Sequence, residues 1–318
     1  MNRLYFIIVL TFILVFETKA QQEAQFSQYM FNNFSINPAY AGINDAICGN
    51  IFHRQQWVGF DGRPVTTLIT FDGALPFIHG GAGIQILQDK IGQFNDLDVK
   101  LAYAYHYKIG EGKLSGGLQA GFLNKKIDFS KFNPIDETDP LLQGKSQESN
   151  MSVDIAFGAF YTVPNKYYAG ISSSQLIESK ESYKEASLKL KRHYYITGGY
   201  HYGLDNFGLS NFKIIPSTLI KTDAVSFQFD INLLAEYNNK FWAGFSYRRT
   251  DAVVILLGLK PFGPGLYENL KIGYSYDMTT SAIGKDGRSS GSHEVYIGYC
   301  FKLETKKEPT SYKNVRFL

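Results

Sequence analysis

Leu97-Asp98-Val99-Lys100-Leu101-Ala102-Tyr103-Ala104-Tyr105-His106-Tyr107-Lys108 alternates with a period of two. Leu97, Val99, Leu101, Tyr103, Tyr105 and Tyr107 fall on one face; Asp98, Lys100, Ala102, Ala104, His106 and Lys108 fall on the other. Successive strand side chains point to opposite faces, so this is a strand with one apolar and one polar side. The same alternation returns near the end: Val295, Ile297, Tyr299, Phe301 and Leu303 oppose Glu294, Tyr296, Gly298, Cys300 and Lys302. Fourteen segments read this way, near 46–56, 65–75, 79–88, 97–108, 113–123, 151–162, 166–174, 191–202, 210–221, 225–237, 239–249, 252–260, 268–278 and 293–303. Their lengths, about 9–12 residues, suit tilted strands crossing a bilayer; soluble strands average about 5–6.

The connections sort by side, except that 222–224 and 250–251 on the outer side are short and 203–209 and 261–267 are longer than a periplasmic turn needs. Pro76-Phe77-Ile78, Gly110-Glu111-Gly112, Pro164-Asn165 and Asn238-Asn239 are tight. The segments 57–64, 89–96, 124–150, 175–190 and 279–292 read as longer connections on the opposite side, with 175–190 able to form a short helix. Short periplasmic turns with long outer loops, an even strand count and Tyr161, Tyr167, Tyr202, Tyr247 and Tyr276 near strand ends are the pattern of an outer-membrane barrel with aromatic girdles. The fold expected is all-β: a transmembrane antiparallel up-and-down β-barrel. A soluble β-sandwich is the competing architecture, and it leaves the polar second face of so many long strands uncovered.

Composition agrees. Aromatics reach 15% (25 Phe, 22 Tyr, 2 Trp) while charged residues make up 19%, below the usual ~25%. The net charge of +3 points to no nucleic-acid partner. Residues 1–20 read as a signal peptide, with Arg3, an apolar run from Leu4 to Phe16, and a small residue, Ala20, before the expected cut. The domain reading is then 1–20 signal peptide, 21–45 a segment packed in or under the lumen, 46–303 the barrel and 304–318 a periplasmic tail. Cys48 and Cys300 fall on the inward face of the first and last strands. Barrel closure brings them together across the seam, in a compartment where a disulfide is able to form but is not assured.

Catalytic chemistry finds no motif: no Gly-x-Ser-x-Gly, phosphate loop or His-Glu-x-x-His is present. The histidines at 53, 79, 106, 193, 201 and 293 lack ligand spacing, and Ser172, Ser173 and Ser174 stand out by composition alone. No catalytic residue, metal ligand or cofactor is therefore expected. The inward set is Arg54, Lys100, Lys113, Asp154, Asp230, Glu236, Arg248, Lys271, Asp277 and Glu294. Its mixed sign favours a paired network in a narrow or plugged lumen over an ion-selective ring.

The most specific stretch precedes the first strand. It contains Gln28 and Tyr29, then Asn37-Pro38-Ala39-Tyr40-Ala41-Gly42, followed by Arg54-Gln55-Gln56-Trp57-Val58-Gly59-Phe60-Asp61-Gly62-Arg63-Pro64. This combination, with the closing Arg316-Phe317-Leu318, resembles the PorP/SprF family of the type IX secretion system. The resemblance implies a non-enzymatic outer-membrane barrel. It would work with outer-membrane lipid, a periplasmic ring complex containing a lipoprotein, and a secreted surface protein bearing a C-terminal sorting domain, in secretion, surface anchoring or gliding motility. Trp57, Phe60, Asp61 and Arg63 in the first outer loop are the candidate partner contacts, with the loops at 124–150 and 175–190. A passive outer-membrane pore or hydrophobic-solute transporter is the alternative function.

Overall fold

Alternation of apolar and polar side chains produces strands whose only way to avoid an open edge in lipid is to close on themselves. The computed structural model describes residues 23–132, 147–183, 186–261, 269–285 and 289–302. The wall begins with β1 (Ala46–Gln55), β2 (Val65–Leu75), β3 (Gly80–Ile91), β4 (Phe94–Ile109), β5 (Gly112–Asp128), β6 (Gln147–Val163) and β7 (Tyr167–Ser174). A small hairpin, β8 (Lys180–Tyr183) and β9 (Ala186–Lys189), stands between β7 and the second half of the wall. The wall resumes with β10 (His193–Tyr200), β11 (Tyr202–Leu204), β12 (Leu209–Thr222), β13 (Phe227–Tyr237), β14 (Phe241–Arg248), β15 (Ala252–Leu259), β16 (Leu270–Thr279) and β17 (Ser292–Lys302).

Each wall strand pairs antiparallel with its neighbours, β1 pairs β17, and β10 pairs both β7 and β12. β11 extends the β10 position along β12, so among the described residues the closed wall has 14 strands. The expected barrel and its strand count hold. The outward face is apolar: Leu101, Leu118, Phe122, Ile171, Ile231 and Phe245 are all exposed, as lipid contact requires. Tyr105, Tyr107, Tyr167, Tyr200, Tyr202 and Tyr237 gather at the end carrying the tight turns.

Three loop expectations are corrected. The 89–96 connection is a two-residue turn, because β3 and β4 stay paired out to Ile91 and Phe94. The 124–150 loop is shorter than expected: β5 and β6 keep their ladder to Asp128 and Gln147. Cross-strand pairing continues past the membrane-facing band, where polar side chains such as Lys125, Lys126 and Asn150 obscure the alternation. The 175–190 connection holds the β8–β9 hairpin rather than a helix. The signal peptide, the 133–146 stretch and the 304–318 tail lie outside the described residues.

Residues 23–45 precede β1 as a strap of irregular chain with single 3-10 turns at Tyr29–Phe31, Asn33–Ser35 and Pro38–Tyr40. Its side chains meet the inward face of the wall. Tyr29 joins Tyr195 and Leu219, Phe34 joins Ala102 and Ala104, and Phe31 stacks on Tyr296 at 5.2 Å. The strap thus adds its apolar side chains to inward wall residues that also pack on one another, as Phe52 does on Tyr296 at 4.7 Å.

Candidate functional site

The strap is seated by wall glycines. A Cβ on Gly81 would lie 2.3 Å from the Ala41 carbonyl oxygen, one on Gly117 2.4 Å from the Ala39 nitrogen, and one on Gly158 2.0 Å from Asn37 Oδ1. Those distances are far inside van der Waals contact, so hydrogen at these positions is what lets the strap approach. Gly42 itself has φ +69°, and its amide donates to Asp72 at 2.9 Å.

The motif residues act here. Asn37 caps the turn at Pro38–Tyr40 by accepting from the Ala39 amide at 3.0 Å. Its Nδ2 donates to the carbonyls of Ala159 (2.9 Å) and Ile171 (3.2 Å). Ser115 and Ser172 donate to the carbonyls of Ala39 and Ile36. His106 Nε2 lies 2.9 Å from the Ala41 carbonyl. The serine and histidine weighed as chemical groups are strap supports.

A charge cluster holds the other end. The Ser27 and Gln28 amides donate to the two oxygens of the Glu294 carboxylate, at 2.8 and 2.9 Å. The Ser27 hydroxyl donates to Asp277 at 2.8 Å. Arg54 bridges Asp277 (2.7 Å) and Glu294 (3.3 Å). Arg248 bridges Asp230 (3.0 Å), Asp277 (3.1 Å) and Asp251 (3.2 Å). The Arg54 and Arg248 side chains are 1% exposed. Two guanidiniums face four carboxylates, Asp230, Asp251, Asp277 and Glu294, and each of these side chains is hydrogen-bonded within the cluster, with Arg54 Nε left without a partner; pairing of this kind is the condition under which buried charge is tolerated. Five wall strands and the strap meet at this point. A second cluster places Lys100 at 2.8 Å from both Asp98 and Asp154. Lys113 pairs with Asp45 where the strap enters β1.

Between the strap and the wall lies a cavity of about 140 Å³, lined among others by Glu23, Phe26, Tyr29, Lys100, Tyr195 and Lys221. At the rim, Phe60 and Asp61 are exposed. Trp57 is half-buried. Its amide donates to Ser292 Oγ at 3.0 Å, and Val58 exchanges backbone hydrogen bonds with Ser290 and Gly291, so the loop is tied to the chain entering β17. Arg63 is also half-buried, reaching Gln55 at 3.5 Å.

Cys48 stands opposite Cys300 in the β1–β17 register, and the two are joined in a disulfide. Among the described residues no group of three His, Cys, Asp or Glu is placed to hold a metal ion. Sequence reasoning missed Ser27 as the hub of the charge cluster. A lone serine carries no periodic signal, and only the folded chain brings it to carboxylates some 250 residues away.

A closed antiparallel barrel with an apolar outer belt and a polar, ion-paired interior defines an integral outer-membrane protein. Residues 18–299 match the family described as type IX secretion system membrane protein PorP/SprF, and the chain belongs to that family. No curated protein matches it. Among solved structures it is similar to the CymD monoaromatic hydrocarbon channel, at 10% identity over 88% of this chain and 94% of that chain, with a TM-score of 0.49. It is also similar to the TodX deltaS2S3 mutant monoaromatic hydrocarbon channel, at 8% identity over 88% and 95%, TM-score 0.46. The Acinetobacter baumannii outer membrane protein Omp33 shares 7% identity over 81% and 99%, TM-score 0.44.

Proposed function

We propose that this barrel serves type IX secretion by binding and positioning rather than by conduction or catalysis. In this reading residues 23–45 are a fixed plug of the lumen. The outer mouth engages a secreted surface protein bearing a C-terminal sorting domain. The tight turns and the tail after Lys302 face the periplasmic ring. The observation that carries it is the fastening of Ser27 and Gln28 to Asp277, Glu294, Arg54 and Arg248 by buried hydrogen bonds to charged wall groups that are themselves ion-paired. A plug held by solvated contacts would suit a gate. One held by desolvated hydrogen bonds to buried, ion-paired wall groups suits a permanent filling.

The test is affinity purification of the tagged barrel from crosslinked, detergent-solubilised outer membrane, with mass spectrometry of what accompanies it. Recovery of a large protein with a C-terminal sorting domain is expected, and its loss on Phe60→Ala combined with Asp61→Ala would place the contact at the first loop. Recovery of the barrel alone would overturn the reading. A passive pore is the second reading, supported by the cavity between strap and wall.

A further inference from the structure

The strap has a direction. Its first described residue, Glu23, accepts from Ser174 Oγ at 3.0 Å and from the Tyr195 hydroxyl, and lies 3.9 Å from His193. Ser174 ends β7 and His193 begins β10, so all three mark the end of the wall that bears the long connections. Gln25 donates to Gln228, the second residue of β13 at that same end, at 2.8 Å. Ser27 follows on Asp277 and Glu294, still near that end of β16 and β17. Asn32 reaches Thr70, midway along β2, at 3.2 Å. Asn37 bonds to β6 and β7 further down. Gly42 and Asp45 meet Asp72 and Lys113 at the opposite end, where β1 starts.

We infer that the strap threads the barrel from the outer mouth to the periplasmic rim, so that its Glu23 end lies at the cell exterior. This rests on the reading of residues 23–45 as the lumen plug. Its consequence is an asymmetry between strap and last strand. The last strand ends at the periplasmic rim, while the Glu23 end of the strap becomes part of the surface an exported protein meets, beside the cavity that Glu23, Ala24 and Phe26 line. The wall also closes around its own amino-terminal strap: β1 meets β17 through the Cys48–Cys300 disulfide at one end and the Arg54–Glu294 ion pair towards the other.

The test is surface labelling of intact cells. An epitope tag is inserted between Gln22 and Glu23, and separately Ala24→Cys is probed with a membrane-impermeant maleimide. Ala224→Cys in the outer turn after β12 and Asn239→Cys in the tight turn after β13 are the outward and inward references. Heat-modifiable mobility in electrophoresis confirms that each variant folds. Antibody binding and Ala24→Cys labelling at the level of Ala224→Cys are expected without permeabilisation. Labelling that, like Asn239→Cys, needs a permeabilised membrane would overturn the threading. A barrel labelled from outside yet purified without a partner would sink the partner reading and leave the threading standing.

Discussion

Glu294 receives two consecutive strap amides and the Arg54 guanidinium, and it is 0% exposed. Removing one member of such a cluster strands its partners in a dry interior. Arg54→Ala or Arg248→Ala should therefore destabilise the barrel by about 3–5 kcal/mol, read from urea unfolding in lipid vesicles. Wild-type unfolding in either variant would refute the claim that these arginines neutralise buried carboxylates. Asp223, in the turn between β12 and β13, titrates differently. Burial alone would raise its carboxyl, but hydrogen bonds from the Ser226 amide (2.7 Å), Ser226 Oγ (2.9 Å) and the Val225 amide (3.1 Å) outweigh it and hold the group below the ordinary range. A lowered folded pKa means stability present above the unfolded value of about 3.9 and lost as pH falls through the folded one. Asp223→Asn should accordingly weaken the barrel at neutral pH and flatten that acid limb, measured as unfolding midpoint against pH.

The strap and the wall glycines fit as one element against another. Gly117→Val would drive a side chain into Ala39 and should lift the lower strap without opening the ladder. The expected outcome is a folded, heat-modifiable barrel whose residues 23–45 become protease-sensitive; continued protection would show that the strap tolerates the bulk. Turns carry their own constraint. Asn238 and Asn239 both have φ +54°, the left-handed centre of the turn that the Lys240 amide closes on the Tyr237 carbonyl at 3.0 Å. Asn239→Gly should be neutral, whereas Asn239→Val should cost about 1–2 kcal/mol and slow folding. β5 and β6, at 17 residues each, rise about 40 Å at barrel tilt, against an apolar band of about 25 Å. One part of the wall therefore stands above the membrane, where the β8–β9 hairpin joins it.

For the whole molecule the decisive features are closure and filling. The Cys48–Cys300 bond spans a sequence separation of 252 and joins the first and last wall strands. Cys48→Ser with Cys300→Ser should leave a folded barrel, because hydrogen bonds run the length of the β1–β17 ladder, but should cost about 2–4 kcal/mol. The denatured wild-type chain should also migrate differently with and without reductant, and the double variant should not. If the strap plugs the lumen, the intact barrel should show little conductance in a planar bilayer and deletion of 23–44 should raise it sharply. Equal conductance before and after deletion would favour the pore.

Much of this was written in periodicity. The alternation in Leu97–Lys108 and its thirteen counterparts sets the inward and outward faces, because a strand's side chains have only two directions. With tight turns gathered on one side, it pointed to a closed barrel and even the juxtaposition of Cys48 with Cys300, since closure makes the end strands neighbours. Periodicity failed where strands left the bilayer: polar residues on both faces of β5 and β6 read as loop, although hydrogen bonding to a neighbour held them extended. It was silent on the strap, which repeats nothing. That Ser27 completes a carboxylate–guanidinium cluster, that Gly81, Gly117 and Gly158 make room for a passing chain, and that Glu23 sits at the far end from Asp45 were decided only by the tertiary structure, because each depends on groups distant in sequence meeting in a dry interior that the barrel must first close to create.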